Sequence, residues 1–249
     1  MNRADLASAG ALSGDRLRPR CALPADERVK NHFEAEAKEF DGITQRLIPN
    51  YNDMIAALVS VIPFPKEGAF SVIDLGCGTG TVSKAVKDSF PHVELTCVDI
   101  AGSMLEMAGD KIGGDVNCVQ ADFNSLDFQQ NFDLIVSSLA LHHLETDGDK
   151  LRFYKKIYAA LNPGGMFINI DVVLGGDEKL QRVYMEKWRE FMAKSVPENE
   201  IVNKWLPNYY AKDRPAKLTA HLDMLADCGF SLVDVIYKYY NYAVYCAKK

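Results

Sequence analysis

The segment VIDLGCGTG, residues 72 to 80, constrains this chain more than any other: an apolar run ends in three alternating glycines just before an amphipathic stretch begins. That pattern reads as a strand turning sharply into a helix, with bare backbone at the turn that a ligand can approach closely. Its spacing separates it from two common nucleotide loops. A dinucleotide loop places its third glycine where this chain has Thr81, and a Walker loop needs a Gly-Lys-Ser/Thr that does not follow. Asp74, at the strand end, repels a pyrophosphate and attracts positive charge. The loop therefore points away from NAD and ATP and toward a cationic ligand.

Downstream, short apolar runs alternate with amphipathic ones: strand 71–75, helix 80–89, strand 93–98, helix 102–111, strand 116–120, strand 132–138, helix 149–161 and strand 165–172. Strands apolar on both faces and separated by helices predict an α/β fold with a parallel sheet covered on both sides. The alternation then pauses. Leu180, Tyr184, Trp188, Phe191 and Met192 fall at helical spacing, and Trp205, Tyr209 and Tyr210 follow, which predicts a helical insertion over about 174–213. Helix 216–228, stopped by Gly229, returns the chain to strands 230–238 and 241–247, so close together that only a hairpin can join them; this gives the sheet one antiparallel strand. Upstream, Val29, Phe33, Ala37 and Phe40 share a helical face, and a second apolar stretch runs from Ile48 to Val61 with an early break at Pro49. These form an N-terminal helical lid over 28–66, preceded by a flexible tail, 1–27, and followed by the α/β domain, 67–249.

Charge and cysteine usage narrow the function. With 28 basic against 34 acidic residues the net charge is -6, so the field that draws proteins onto nucleic acid is missing and no nucleic-acid partner is expected. The longest nearly apolar run, 54–64, is too short to span a membrane. Six cysteines are scattered without a CxxC pair, which predicts reduced thiols and a cytoplasmic location. Neither they nor the five histidines have convincing metal-ligand spacing, so no metal is expected.

Three further segments carry chemistry. Asp99 ends the strand after the glycine loop, at the sheet edge beside that loop, where a carboxylate suits both hydroxyls of a ribose. Ala121-Asp122-Phe123 offers an acceptor beside an aromatic face, suited to an adenine amino group. Asp133-Leu134-Ile135-Val136-Ser137-Ser138 leads to His142-His143 at the mouth of the central strand.

In this order, these segments resemble the class I S-adenosylmethionine-dependent methyltransferases, a likeness strongest over 68–172 that includes the Leu161-Asn162-Pro163-Gly164-Gly165 turn. The resemblance implies a Rossmann-like, seven-stranded, mostly parallel sheet with S-adenosylmethionine as cofactor. Gly76, Gly78 and Gly80 would line its methionine and ribose portions and Asp74 its amino end. Asp99 would take the ribose hydroxyls, Ile100 and Met104 would flank the adenine, Asp122 and Phe123 would complete its recognition, and Ser138 would border the cofactor. Phe40-Asp41-Gly42-Ile43, followed by Arg46-Leu47-Ile48-Pro49-Asn50-Tyr51, is similar to the N-terminal segment of the carboxy-S-adenosylmethionine synthase-like branch, whose members are not all methyltransferases.

The function implied is methyl transfer to a small molecule. The alternatives are a non-methylating use of the cofactor, by carboxy-S-adenosylmethionine formation or cyclisation of its aminobutyrate arm, and a module that senses the cofactor without turnover. His142 is the candidate base, against a plain hydrogen-bonded loop role. Arg46 and Tyr51 would bring a cation and a phenol to an acidic acceptor, or merely anchor the lid. One or two of the closing tyrosines, Tyr237, Tyr239, Tyr240, Tyr242 and Tyr245, would face the acceptor pocket. The chain would act alone or as a homodimer, off the membrane.

Overall fold

The computed structural model describes residues 40–249; the tail and most of the first lid helix lie outside them. Two helices lead in, α1 (Phe40–Leu47) and α2 (Tyr51–Ser60). Pro49 disfavours helical backbone at the residue before it, and Asn50 takes a left-handed φ of 56°, so the chain turns between them.

Seven strands follow: β1 (Ser71–Leu75), β2 (Glu94–Asp99), β3 (Asn117–Gln120), β4 (Phe132–Ser138), β5 (Leu161–Val172), β6 (Leu232–Tyr239) and β7 (Tyr242–Lys248). They form one sheet in the order β3-β2-β1-β4-β5-β7-β6. β7 pairs antiparallel with both neighbours while the other pairings are parallel, so the sheet has the expected mostly parallel form with one reversed strand. The connecting helices are α3 (Thr81–Ser89), α4 (Gly102–Ile112), α5 (Asp147–Ala160), α6 (Glu178–Met192), α7 (Leu206–Lys212) and α8 (Leu218–Asp227).

Strand alternation divides the core. Val72, Leu134, Ile168 and Val244 face a cluster that also takes Met54, Val86, Leu105 and Trp188 from α2, α3, α4 and α6. Ile73, Ile135, Phe167 and Tyr245 face the other way, against Phe153 and Ile157 of α5 and Leu225 of α8. Both sheet faces are thereby buried, which is why the strands read as continuous apolar runs.

Two details depart from the sequence reading. β5 begins at Leu161 rather than 165: Leu161 pairs with Phe132, and a register shift precedes Leu134↔Met166, so the Asn-Pro-Gly-Gly turn sits as an irregularity inside the strand. The insertion contains a π turn, Ile201–Trp205, ahead of α7. Its bond from Leu206 N to Ile201 O leads into α7, where Pro207 stands in the first turn and needs no intrahelical N–H. A bridge between Leu174 and Lys217 closes the insertion at its base. Its roof touches the lid, where Trp188 Nε1 donates to Leu47 O at 2.7 Å. No helix among the described residues is long and apolar enough to cross a membrane.

Candidate active site

Strands β2 and β4 flank β1, and their outgoing connections run in opposite directions, opening a crevice at the carboxyl edge of the sheet. The glycine loop lies across it. Gly76 N and Cys77 N both donate to Val98 O, at 2.8 and 2.9 Å, pinning the loop to the end of β2. Gly76 has a φ of 70°, and a Cβ there would lie 2.4 Å from that of Ala140. Gly80 (φ 79°) is required for a different reason: its Cβ would strike Ala108 at 2.9 Å, so its place is to let α3 pack on α4.

A cavity of about 460 Å³ occupies this edge, within the range of small-molecule sites. Gly76, Gly78, Asp99 and Ile100 are on its wall, as are Met104, Asp122, Phe123 and Ser138. Asp99 accepts from Gly78 N at 2.8 Å and Ala101 N at 2.9 Å, which fixes its carboxylate against the loop. Asp122 caps its own turn by accepting from Asn124 N at 2.7 Å. Phe123 is braced by Phe153, ring centroids 5.0 Å apart. Tyr51 reaches the wall from the lid, its hydroxyl 3.1 Å from Ser138 Oγ. Burial pushes that phenol up to about 12 against the Ser138 bond, so at neutral pH it acts as a hydrogen-bonding group and not as a base.

Other sequence-chosen residues lie off the wall. Gly80 is covered by Ala108, as described. Arg46 turns away from the cavity to donate to Ser195 O, through Nε at 3.2 Å and a terminal nitrogen at 2.8 Å, so it ties the lid to the residues just beyond α6. None of the five closing tyrosines is on the wall; Tyr242 and Tyr245 are core residues, and the Tyr237 hydroxyl accepts from Asn50. Asp74 is buried behind the loop, one oxygen taking the Ser83 hydroxyl at 2.6 Å and the other, Oδ1, with no hydrogen-bond partner. Burial, and after it the charge of Asp99, push its pKa up to about 7 against the Ser83 bond.

His142 is buried in a short 3₁₀ turn, Leu141–His143, with Nδ1 2.6 Å from Asp171 Oδ1. Burial works against its charge, yet Asp171 and Asp213 together hold its pKa above the ordinary value. The neighbouring His143 is the histidine on the cavity wall. Sequence reading also missed Lys212 and Arg214, which reach the wall from the end of the insertion. Arg214 N donates to His142 O at 2.8 Å, a contact across seventy residues that no local spacing announces. The lid is latched at the opposite end: Asp41 accepts from Thr79 Oγ1 at 2.5 Å and from Lys111 Nζ at 2.6 Å.

Residues 72–165 match the family model described as a methyltransferase domain. The chain is 28% identical over 230 residues to a carboxy-S-adenosyl-L-methionine synthase of Campylobacter hominis, covering 89% of this chain and 96% of that protein. It is 27% identical to the enzyme of the same name from Chromohalobacter salexigens, covering 92% and 87%. Human N-acetylserotonin methyltransferase in complex with SAM superposes with a TM-score of 0.61 at 20% identity, over 91% of this chain and 60% of that one. The DhpI-SAM-HEP complex gives 0.66 at 17% identity, over 92% and 100%. These structural likenesses carry the fold alone. The fold is the Rossmann-like one of these methyltransferase structures, and residues 72–165 are similar to the methyltransferase-domain family. Along most of its length the chain is similar to the carboxy-S-adenosyl-L-methionine synthases.

Proposed function

We propose that this protein binds S-adenosylmethionine in the cavity and catalyses transfer of its methyl group to an anionic small molecule. The observation that carries this reading is the pair of cations at one end of the cavity: Asp99 and Asp122 come from the strand ends, while Lys212 and Arg214 come from the insertion, where Arg214 is paired with Glu145 at 3.2 Å. The residues present fit the cofactor. Asp99, on the cavity wall, is held where a diol can donate to it. When bound, S-adenosylmethionine supplies a methyl group already activated by its positively charged sulfur. The protein's own part is alignment: Tyr51 and Ser138 fix one side of the cavity, and the Asp41 latch ties the lid to the glycine loop. An acceptor that is already anionic needs no base, which agrees with a Tyr51 phenol kept neutral.

The similarity to carboxy-S-adenosyl-L-methionine synthases over 96% of one relative supports a second reading, in which Lys212 and Arg214 hold a carboxylate carried by the cofactor itself. Mass analysis of adenosyl products after incubating the protein with S-adenosylmethionine and a small-molecule extract separates the two. S-adenosylhomocysteine is the expected product. A carboxylated sulfonium would establish the second reading, and methylthioadenosine alone would contradict both.

A further inference from the structure

The groups around His142 lie beside the cavity, with His143 on its wall, and the proposed function does not use them. Asp213 Oδ1 lies 3.7 Å from His142 Nε2 and also 3.7 Å from His143 Nδ1. One ligand atom from each of the three residues falls within 4.8 Å of the others. At 3.7 Å neither contact is a hydrogen bond. Donors around a tetrahedral ion with bonds of about 2.0–2.2 Å sit roughly 3.3–3.6 Å apart, so a small drawing-in of the three groups completes that spacing.

We propose that His142, His143 and Asp213 bind a divalent transition-metal ion of the zinc type at the edge of the cavity. The surroundings are built for it. Asp171 Oδ1, 2.6 Å from His142 Nδ1, holds the ring so that Nε2 is turned toward Asp213, the carboxylate–histidine arrangement that orients metal-binding imidazoles. Asp171 is itself fixed by Val172 N at 2.9 Å and Asn169 Nδ2 at 3.2 Å. The backbone bond from Arg214 N to His142 O sets Asp213 beside the pair. Two imidazoles and one carboxylate suit Zn²⁺ or Co²⁺ and not Mg²⁺ or Ca²⁺, which favour oxygen donors. Three protein ligands leave a coordination position for water or for an anionic oxygen, and His143 is on the cavity wall, so a ligand in the cavity can supply that oxygen. The sequence reading expected no metal because the third donor is seventy residues away from the histidine pair.

The site does not depend on the cofactor assignment, and the test keeps the two apart. Untagged, chelator-stripped protein is titrated with Zn²⁺ against a chromophoric chelator, and with Co²⁺ by visible absorption. One equivalent should bind in each case, with no thiolate-to-cobalt band. His143→Ala and Asp213→Asn should each weaken Zn²⁺ at least tenfold, and Asp171→Asn by about 10–100-fold. His92→Ala, an exposed histidine paired with Glu67, should change nothing. Melting temperature and S-adenosylmethionine affinity of each variant report folding separately. No stoichiometric ion, a cysteine signature, or binding unaltered in folded His143→Ala and Asp213→Asn would overturn the proposal.

Discussion

Among single residues, Asp74 carries the sharpest consequence of burial. Its carboxyl stands at about 7 in the fold against 3.8 unperturbed. Between those values the folded chain holds a proton that the unfolded chain has lost, so stability falls as pH rises from about 4 to about 7, by at most roughly 4 kcal/mol. Asp74→Asn should therefore melt higher than the parent at pH 8 and close to it at pH 4, as thermal scans at both pH values would show; a variant less stable at pH 8 would mean that the buried charge is compensated. At this scale the sequence was most legible where the chain is local. Asp99, Asp122 and Phe123 each follow a strand end within one β-α-β passage, and the sheet edge gathers them on one wall. His143, Lys212 and Arg214 were not legible, because their meeting depends on how the insertion folds back.

Elements were readable in proportion to how much of their signal is periodic. The strands and the helices between them came from apolar spacing, and the structure moves their ends by a few residues only, apart from β5. The π turn escaped because a single widened turn leaves no period of its own. Helix α5 shows a signal that was available: Thr146 and Asp149 form a capping box, with Asp149 N donating to Thr146 Oγ1 at 3.1 Å and Thr146 N to Asp149 Oδ2 at 3.0 Å. Thr146→Ala should cost about 1 kcal/mol in urea unfolding. A loss under a few tenths would show that packing of Phe153, Tyr154 and Ile157 alone sets where this helix starts.

At the scale of the whole molecule, the lid and the insertion meet through Arg46 and Trp188, and each gives residues to the cavity wall: Thr44 and Tyr51 from the lid, Ala211, Lys212 and Arg214 from the end of the insertion. The class of fold was legible because the glycine loop and its carboxylates are contiguous with the sheet. The acceptor end was not, because Lys212 and Arg214 reach the wall only where the insertion folds back. The central claim is that the cavity holds S-adenosylmethionine with Asp99 on its ribose, and calorimetric titration of the cofactor into the parent and Asp99→Asn proteins tests it most directly. Loss of charge-assisted bonds of about 1.5–3 kcal/mol predicts affinity lower by roughly 10–150-fold, with the fold intact by melting temperature. Equal affinity in a folded Asp99→Asn protein, or no binding by the parent, would contradict it.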